Sequence, residues 1–146
     1  MILQAIDKAG KTIEWSEKDL IGQTTILYFY PKDNTSGCTN EACDFRDNIN
    51  RLLPYVQVIG VSPDSLASHQ GFQKKQGLNF TLIADTEHAL AEQYNVWKEK
   101  SMYGRKYMGI ERSTFIINKQ GKIIKEWRKV KVASHVEEVL AVLTKA

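Results

Sequence analysis

The sequence predicts an α/β fold with a central mixed β-sheet flanked by helices and an N-terminal β-hairpin. Three observations carry that prediction. Thr24–Tyr30 (TTILYFY) and Val56–Ser62 (VQVIGVS) are continuous β-branched and aromatic runs, the pattern of strands buried on both faces. Segments between and after them carry apolar residues at helical spacing. Near the C-terminus, two β-prone runs flank Lys119-Gln120-Gly121, whose glycine suits the positive φ of a hairpin turn.

The elements follow in order. Cys38–Leu53 reads as a helix, with Phe45, Ile49, Leu52 and Leu53 at helical spacing and Pro54 marking the end. Val56–Ser62 is the next strand, and Ser65–Gln76 a second helix that stops at Gly77. Phe80–Ala84 reads as a short strand and Thr86–Tyr94 as a third helix. Ser113–Asn118 and Lys122–Trp127 form the late hairpin. Ser134–Thr144 is a closing amphipathic helix, with Val136, Val139, Leu140 and Leu143 on one face and Ser134 as candidate N-cap. The order β-hairpin, β, α, β, α, β, α, β-hairpin, α fits a thioredoxin-like arrangement. No repeat, low-complexity tract or linker interrupts it, so residues 1–146 read as one domain.

Composition narrows the class. Hydrophobic residues make up 42% and charged residues 25%, ordinary for a soluble globular protein. No run of about 18 apolar residues predicts a membrane span. Met1–Lys11 has neither an apolar signal core nor transit-peptide character, so a cytoplasmic protein is expected. The formal net charge is +3 but uneven. Residues 98–131 hold eleven Lys or Arg against three Glu, so the remainder is net acidic. That stretch reads as a solvated basic face, with docking of an acidic protein as the alternative. It contains no nucleic-acid reading motif.

The chemistry concentrates in Tyr30–Asp47, YPKDNTSGCTNEACDFRD. A strand ends at Tyr30, Pro31 stops pairing, Asp33 and Asn34 read as turn residues, and Gly37 permits a tight turn. Cys38 then falls in the first turn of a helix. Free N–H groups and the positive dipole end favour an anion there, so a thiolate is stabilised. Thr35, three residues earlier, can offer a hydroxyl to the sulfur or to a bound oxygen. Taken alone, a cysteine near a helix start is more often a small buried hydrophobe. The second cysteine, Cys43, is five residues on. A metal would need two further ligands, and His69, His88 and His135 are scattered among helical segments, so no metal or other cofactor is expected. The same scatter weakens a Cys–His hydrolase, and C-x-x-C spacing is absent.

Pro31, Thr35 and Cys38 match the Pro-x3-Thr-x2-Cys signature of peroxiredoxins, and the stretch PKDNTSGCTNEACDFRD resembles their active site. A second Cys five positions later resembles the bacterioferritin comigratory protein, or peroxiredoxin Q, subfamily. The downstream block Lys100–Asn118, KSMYGRKYMGIERSTFIIN, is similar to the same subfamily. The resemblance runs from Gly10 over nearly the whole chain. It implies a thioredoxin-like fold and antioxidant reduction of hydrogen peroxide and organic hydroperoxides. It also implies recycling by thioredoxin or a glutaredoxin-like dithiol donor. By the same resemblance, Cys38 is the peroxidatic and Cys43 the resolving cysteine, joined in an intramolecular disulfide during turnover. Thr35 and Arg112 hold the peroxide oxygens and activate the thiolate. Pro31 shields the pocket, and Glu41 orients Arg112. Arg46 reads as a solvent-facing helix residue.

Two positions depart from the subfamily. Ser36 stands where Pro is usual, which opens the way to a looser turn before Cys38. The usual Ala-Pro-Asp-Phe segment before the first hairpin is missing, which leaves the first sheet edge open to fraying. With the resolving cysteine in the same chain, a monomer is expected. The competing reading is a redox-regulated binding or chaperone-like module, whose disulfide alters a surface without significant turnover.

Overall fold

The computed structural model describes residues 1–51 and 56–144. Leu52, Leu53 and Pro54, read above as the end of the first helix, lie outside the described residues. Strands β1 (Ile2–Ile6) and β2 (Thr12–Ser16) form the N-terminal hairpin, and β3 (Thr24–Phe29) follows. Helix α1 (Ser36–Asn48) continues into a 3-10 turn at Ile49–Arg51. Then come β4 (Val56–Ser62), α2 (Leu66–Gln76), β5 (Thr81–Ala84) and the short α3 (Ala89–Gln93). Two hairpins, β6 (Trp97–Met102) with β7 (Arg105–Ile110) and β8 (Ser113–Ile117) with β9 (Ile123–Trp127), precede α4 (His135–Thr144).

Seven strands make one mixed sheet in the order β2-β1-β5-β4-β3-β8-β9. β3, β4 and β5 are parallel; β1 and β8 join them antiparallel. Among the described residues, β6 and β7 pair only with each other. The predicted fold class is therefore the observed one. The first hairpin is not frayed, because β1 pairs with β2 along all five residues and with β5 on its other edge.

The period of two divides the core. Ile26, Tyr28 and Tyr30 face a cluster with Phe45 of α1, Phe72 of α2 and Val136, Val139 and Leu140 of α4. Leu27 and Phe29 face the opposite cluster with Ile59, Leu90, Val96, Ile110 and Phe115. Burial on both faces explains why β3 and β4 read as unbroken apolar runs.

Helix ends differ from expectation where capping decides them. α1 starts two residues before Cys38, because the Thr35 carbonyl accepts Thr39 N–H at 2.8 Å. Ser36 thus opens the helix rather than loosening it. α2 is bounded as its caps predict, with Ser65 Oγ accepting Ser68 N–H and Gly77 left-handed at φ 61. α3 starts at Ala89, later than Thr86. His88 has φ 58, and the Asp85 carboxylate accepts the Leu90 and Ala91 N–H groups at 3.1 and 2.8 Å. Ser134 precedes α4 with φ 62, and its carbonyl accepts Glu138 N–H. Gly121 takes φ 82 in the β8–β9 turn, as predicted.

Gly60 of β4 sits between Tyr28 and Leu82 on neighbouring strands. A Cβ there would stand 2.9 Å from Leu82 Cδ2 and 3.0 Å from Tyr28 Oη, and both side chains are fully buried. Gly60→Ala overpacks this layer and is expected to cost about 1–3 kcal/mol. Thermal unfolding should show a melting temperature lower by roughly 2–12 °C. An unchanged midpoint would mean that the layer has slack.

Candidate active site

Sheet register brings the site together. Phe29 of β3 pairs with Ser113 of β8. The residues leaving β3 toward α1 therefore lie beside the residue entering β8, which is Arg112. That is how side chains 74 positions apart in the chain meet.

The loop between β3 and α1 is fixed from beneath. Tyr30 N–H donates to Val61 O at 3.0 Å, half-buried Pro31 follows, and Asn34 takes φ 64. Asn34 is the turn residue. Gly37 is not: it lies within α1, where a Cβ would stand in ordinary contact with Arg112 Nη2, at 3.4 Å. Asp33 is buried. One carboxylate oxygen accepts Tyr30 Oη at 2.6 Å; the other is 2.7 Å from both Ser68 Oγ and His69 Nδ1. His69 Nε2 lies 2.9 Å from Ile83 O, and Asp64 accepts the Asp33 N–H at 2.7 Å. These bonds fasten the loop to α2, β5 and the end of β4.

Cys38 is the third residue of α1, in the turn whose N–H groups have no intrahelical acceptors. It is 1% exposed. Arg112 Nη2 donates to its Sγ at 3.2 Å, and Arg112 Nη1 donates to Glu41 Oε1 at 2.6 Å. Glu41 follows Cys38 by three positions, so both share one face of the helix. Thr35 donates its hydroxyl to Lys32 O at 3.0 Å. Its proton is committed to that carbonyl rather than to the sulfur, which leaves its oxygen free to accept.

The charges constrain one another. Burial pushes the Glu41 carboxyl up to about 7, against the opposing pull of Arg112. Its Oε2 is buried with no hydrogen-bond partner among the described residues. Burial works against the Arg112 charge, but Glu41 and Cys38 outweigh it and raise its pKa. Both cysteines are free thiols. Cys43, on the same helix, is half-buried and donates to Gln76 Oε1 at 3.7 Å.

A nucleophilic sulfur at a helix N-terminus, gripped by a guanidinium that a buried carboxylate orients, is built to attack an electrophile that releases an oxyanion. Residues 3–126 match the model of the AhpC/TSA family. The chain belongs to the AhpC/TSA family. It is 54% identical to peroxiredoxin Bcp of Bacillus subtilis over 92% of this chain and 85% of that one. It is 43% identical to peroxiredoxin Bcp of Escherichia coli K12, again over 92% of this chain and 85% of that one. A cysteine mutant of Xanthomonas campestris peroxiredoxin Q superposes with a TM-score of 0.91 at 40% identity, over 99% of this chain and 90% of that one. A second structure from that organism, of its bacterioferritin comigratory protein, concerns alkyl peroxide reduction and aligns equally well, at 39% identity. The chain is a thiol-dependent peroxidase of the peroxiredoxin class.

Within this peroxiredoxin, the structure brings Cys38, Arg112 and Glu41 into contact, with Thr35 as the N-cap of α1, Pro31 in the loop before it and Cys43 farther along α1. Besides Gly37, the readings of Asp33 and Arg46 change. Asp33, read as a turn residue, is the buried anchor of the active-site loop; turn chemistry in the sequence carries no signal of burial. Arg46, read as solvent-facing, is half-buried, and its Nη1 donates to Gln76 O at 2.5 Å beside Cys43. The three histidines are engaged elsewhere: His69 with Asp33, His88 stacked on Trp97 at 3.8 Å, and His135 Nε2 2.8 Å from Thr114 Oγ1.

Two measurements test this geometry. Arg112→Lys keeps a charge but loses the fork that reaches Sγ and Glu41 together. Its second-order rate constant with hydrogen peroxide should fall at least about tenfold, roughly 1.4 kcal/mol; an unchanged constant would remove Arg112 from the site. Glu41 supplies a pH signature. Its folded pKa lies above the ordinary carboxyl value, so the folded state holds the extra proton. The resulting stabilisation is full below about pH 4.5 and is lost as pH rises through about 7. Relative to Glu41→Gln, which does not titrate, the parent should lose stability from pH 4.5 to 7.5. Parallel stability profiles would contradict the burial of that charge.

Proposed function

We propose that Cys38 reduces hydroperoxides by nucleophilic attack and that Cys43 resolves the product. The observation that carries this reading is the Arg112 contact to the Cys38 sulfur. The thiolate attacks one peroxide oxygen and the O–O bond breaks, giving Cys38 sulfenic acid and an alkoxide or hydroxide that takes up a proton. Arg112 stabilises the charge developing on the oxygens, and the Thr35 oxygen accepts from the peroxide O–H. Pro31 shields the pocket from water, and Glu41 orients Arg112. Cys43 thiol then condenses with the sulfenic acid, forming a disulfide and releasing water. A dithiol protein of the thioredoxin or glutaredoxin type reduces that disulfide by exchange. The whole chain acts as one catalytic domain in the cytoplasm, and as a monomer, since both reacting cysteines lie on one helix.

That shared helix sets a requirement. Five residues on a continuous α-helix turn about 140° and rise about 7.5 Å, so the two Cα atoms are about 8.7 Å apart. A disulfide needs less than about 7 Å. The start of α1 must therefore unwind in each cycle. Arg46 marks where unwinding stops: its guanidinium holds Gln76 O, and its carbonyl accepts Asn79 Nδ2–H at 3.3 Å. Melting roughly Thr39–Asp44 frees Phe45, now 1% exposed against Tyr28, and presents the disulfide to the reductant.

Peroxide consumption with excess dithiothreitol separates the readings. Multiple turnovers, abolished in Cys38→Ser, are expected of the peroxidase; one stoichiometric oxidation would mark a redox-controlled binding module. Amide hydrogen exchange on reduced and oxidised protein tests the conformational step. Protection across residues 38–45 should drop on oxidation, and equal protection in both states would mean that no unwinding occurs.

A further inference from the structure

The two sulfurs of α1 are held toward opposite sides of the helix. In the sheet, β3 has β8 on one side and β4, then β5, on the other. Cys38 Sγ meets Arg112, the residue that enters β8. Cys43 Sγ meets α2 instead: its thiol donates to Gln76 Oε1 at 3.7 Å. α2 lies over β1 and β5, where Gln73 Nε2 donates to Asp7 O at 2.8 Å and to Phe80 O at 3.2 Å. The opposed directions agree with five residues of helix, which turn the second side chain about 140° from the first.

Gln76 is fixed in place for this contact. It is half-buried and ends α2, followed by the left-handed cap Gly77. Its carbonyl accepts Arg46 Nη1–H at 2.5 Å, and Arg46 lies three positions after Cys43, on the same face of α1. Arg46 Nε is held in turn by Asp47 Oδ1 at 2.8 Å. One residue of α2 therefore receives two side chains of α1. Its main chain takes the guanidinium, and its side chain takes the thiol. An amide oxygen accepts but does not donate, so the contact to Cys43 lasts only while the sulfur keeps its proton. Attack on another sulfur requires that proton to leave.

We propose that Gln76 positions the resolving cysteine: it holds the protonated Cys43 thiol against α2, away from Cys38, and releases it as α1 unwinds. In the step that follows, the Cys43 sulfur gives up its proton and bonds to Cys38 Sγ. The S–O bond of the sulfenic acid breaks, and the departing hydroxide takes up a proton to become water. The Gln76 contact breaks before the S–S bond forms, so it slows disulfide formation and leaves the attack on peroxide alone. The inference rests on Cys43 as the resolving residue and adds the side chain that sets the pace of that step.

Mixing reduced protein with hydrogen peroxide, then quenching with a sulfenic-acid trap and counting products by mass spectrometry, reads the two steps separately. Gln76→Leu removes the acceptor at similar size and leaves the main-chain bond to Arg46 in place. It should speed disulfide formation about twofold or more. Gln76→Glu keeps the reach and strengthens the acceptor with a charge, and should slow that step by about as much. Neither should change the rate constant for attack on peroxide. At high peroxide, where sulfenic acid passes on to sulfinic acid, Gln76→Leu should lose less activity per turnover than the parent and Gln76→Glu more. A second arm uses Cys38→Ser, in which Cys43 is the one remaining cysteine. Adding Gln76→Leu there should speed alkylation of Cys43 by iodoacetamide, and adding Gln76→Glu should slow it. Equal rate constants, a change of the same sign in both variants, or an altered attack on peroxide would overturn the proposal. A parent protein that forms no Cys38–Cys43 disulfide would instead refute the resolving role of Cys43, and the alkylation arm would then decide alone whether Gln76 holds the thiol.

Discussion

The Glu41–Arg112 ion pair is the constraint around which the site is arranged. Glu41 is fully buried and Arg112 largely so, with side-chain exposures of 0% and 16%. Burying a carboxylate is expensive unless it is paired and hydrogen-bonded, and here, among the described residues, one of its two oxygens has a partner while the other has none. Burial accordingly pushes its pKa upward even with a guanidinium 2.6 Å away. Such a pair is a weak source of stability. What it supplies is position: one nitrogen of the planar fork is held by Glu41, and so the other is aimed at Cys38.

Every neighbouring feature serves that aim. β3–β8 register places Arg112 beside the loop that leads into α1. The Asp33 network holds the loop down. The helix contributes its unpaired N–H groups at Cys38 and also carries Cys43. These two uses conflict in the proposed cycle. The intact helix favours the thiolate, and the same intact helix keeps the cysteines too far apart to join. Alternation between a wound and an unwound first half resolves the conflict, with the Arg46 contacts to Gln76 and Asn79 as the boundary.

Much of this was legible in the sequence because it depends on local pattern. β3 and β4 are buried on both faces and so appear as unbroken runs. Ser65 and Gly77 bound α2 through caps that act over three or four residues. The β6–β7 hairpin gives no such signal, because Ser101–Met108 are all exposed and show no apolar period. α3 was placed three residues early because the capping Asp85 precedes it by several positions. In the site, Cys38 and Thr35 are legible from their place at a helix start as well as from the signature, whereas Arg112 is legible through the resemblance alone. Long-range geometry was hidden: the burial of Asp33 follows from contacts 35 and 36 positions away, and the engagement of Arg46 from one 30 positions away. Gly37 reads as a turn residue because a glycine in the first turn of a helix looks, in one dimension, like a glycine that bends the chain.

The central claim is that Glu41 and Cys38 are coupled through one guanidinium. A double-mutant cycle on Glu41→Gln and Arg112→Lys tests it most directly, with the second-order rate constant for Cys38 and hydrogen peroxide as the readout. Replacing Glu41 should slow the reaction when Arg112 is present and should matter little once the fork is gone, giving a coupling of about 1 kcal/mol or more. Additive effects of the two substitutions would contradict the account, because Glu41 would then influence the sulfur independently of Arg112.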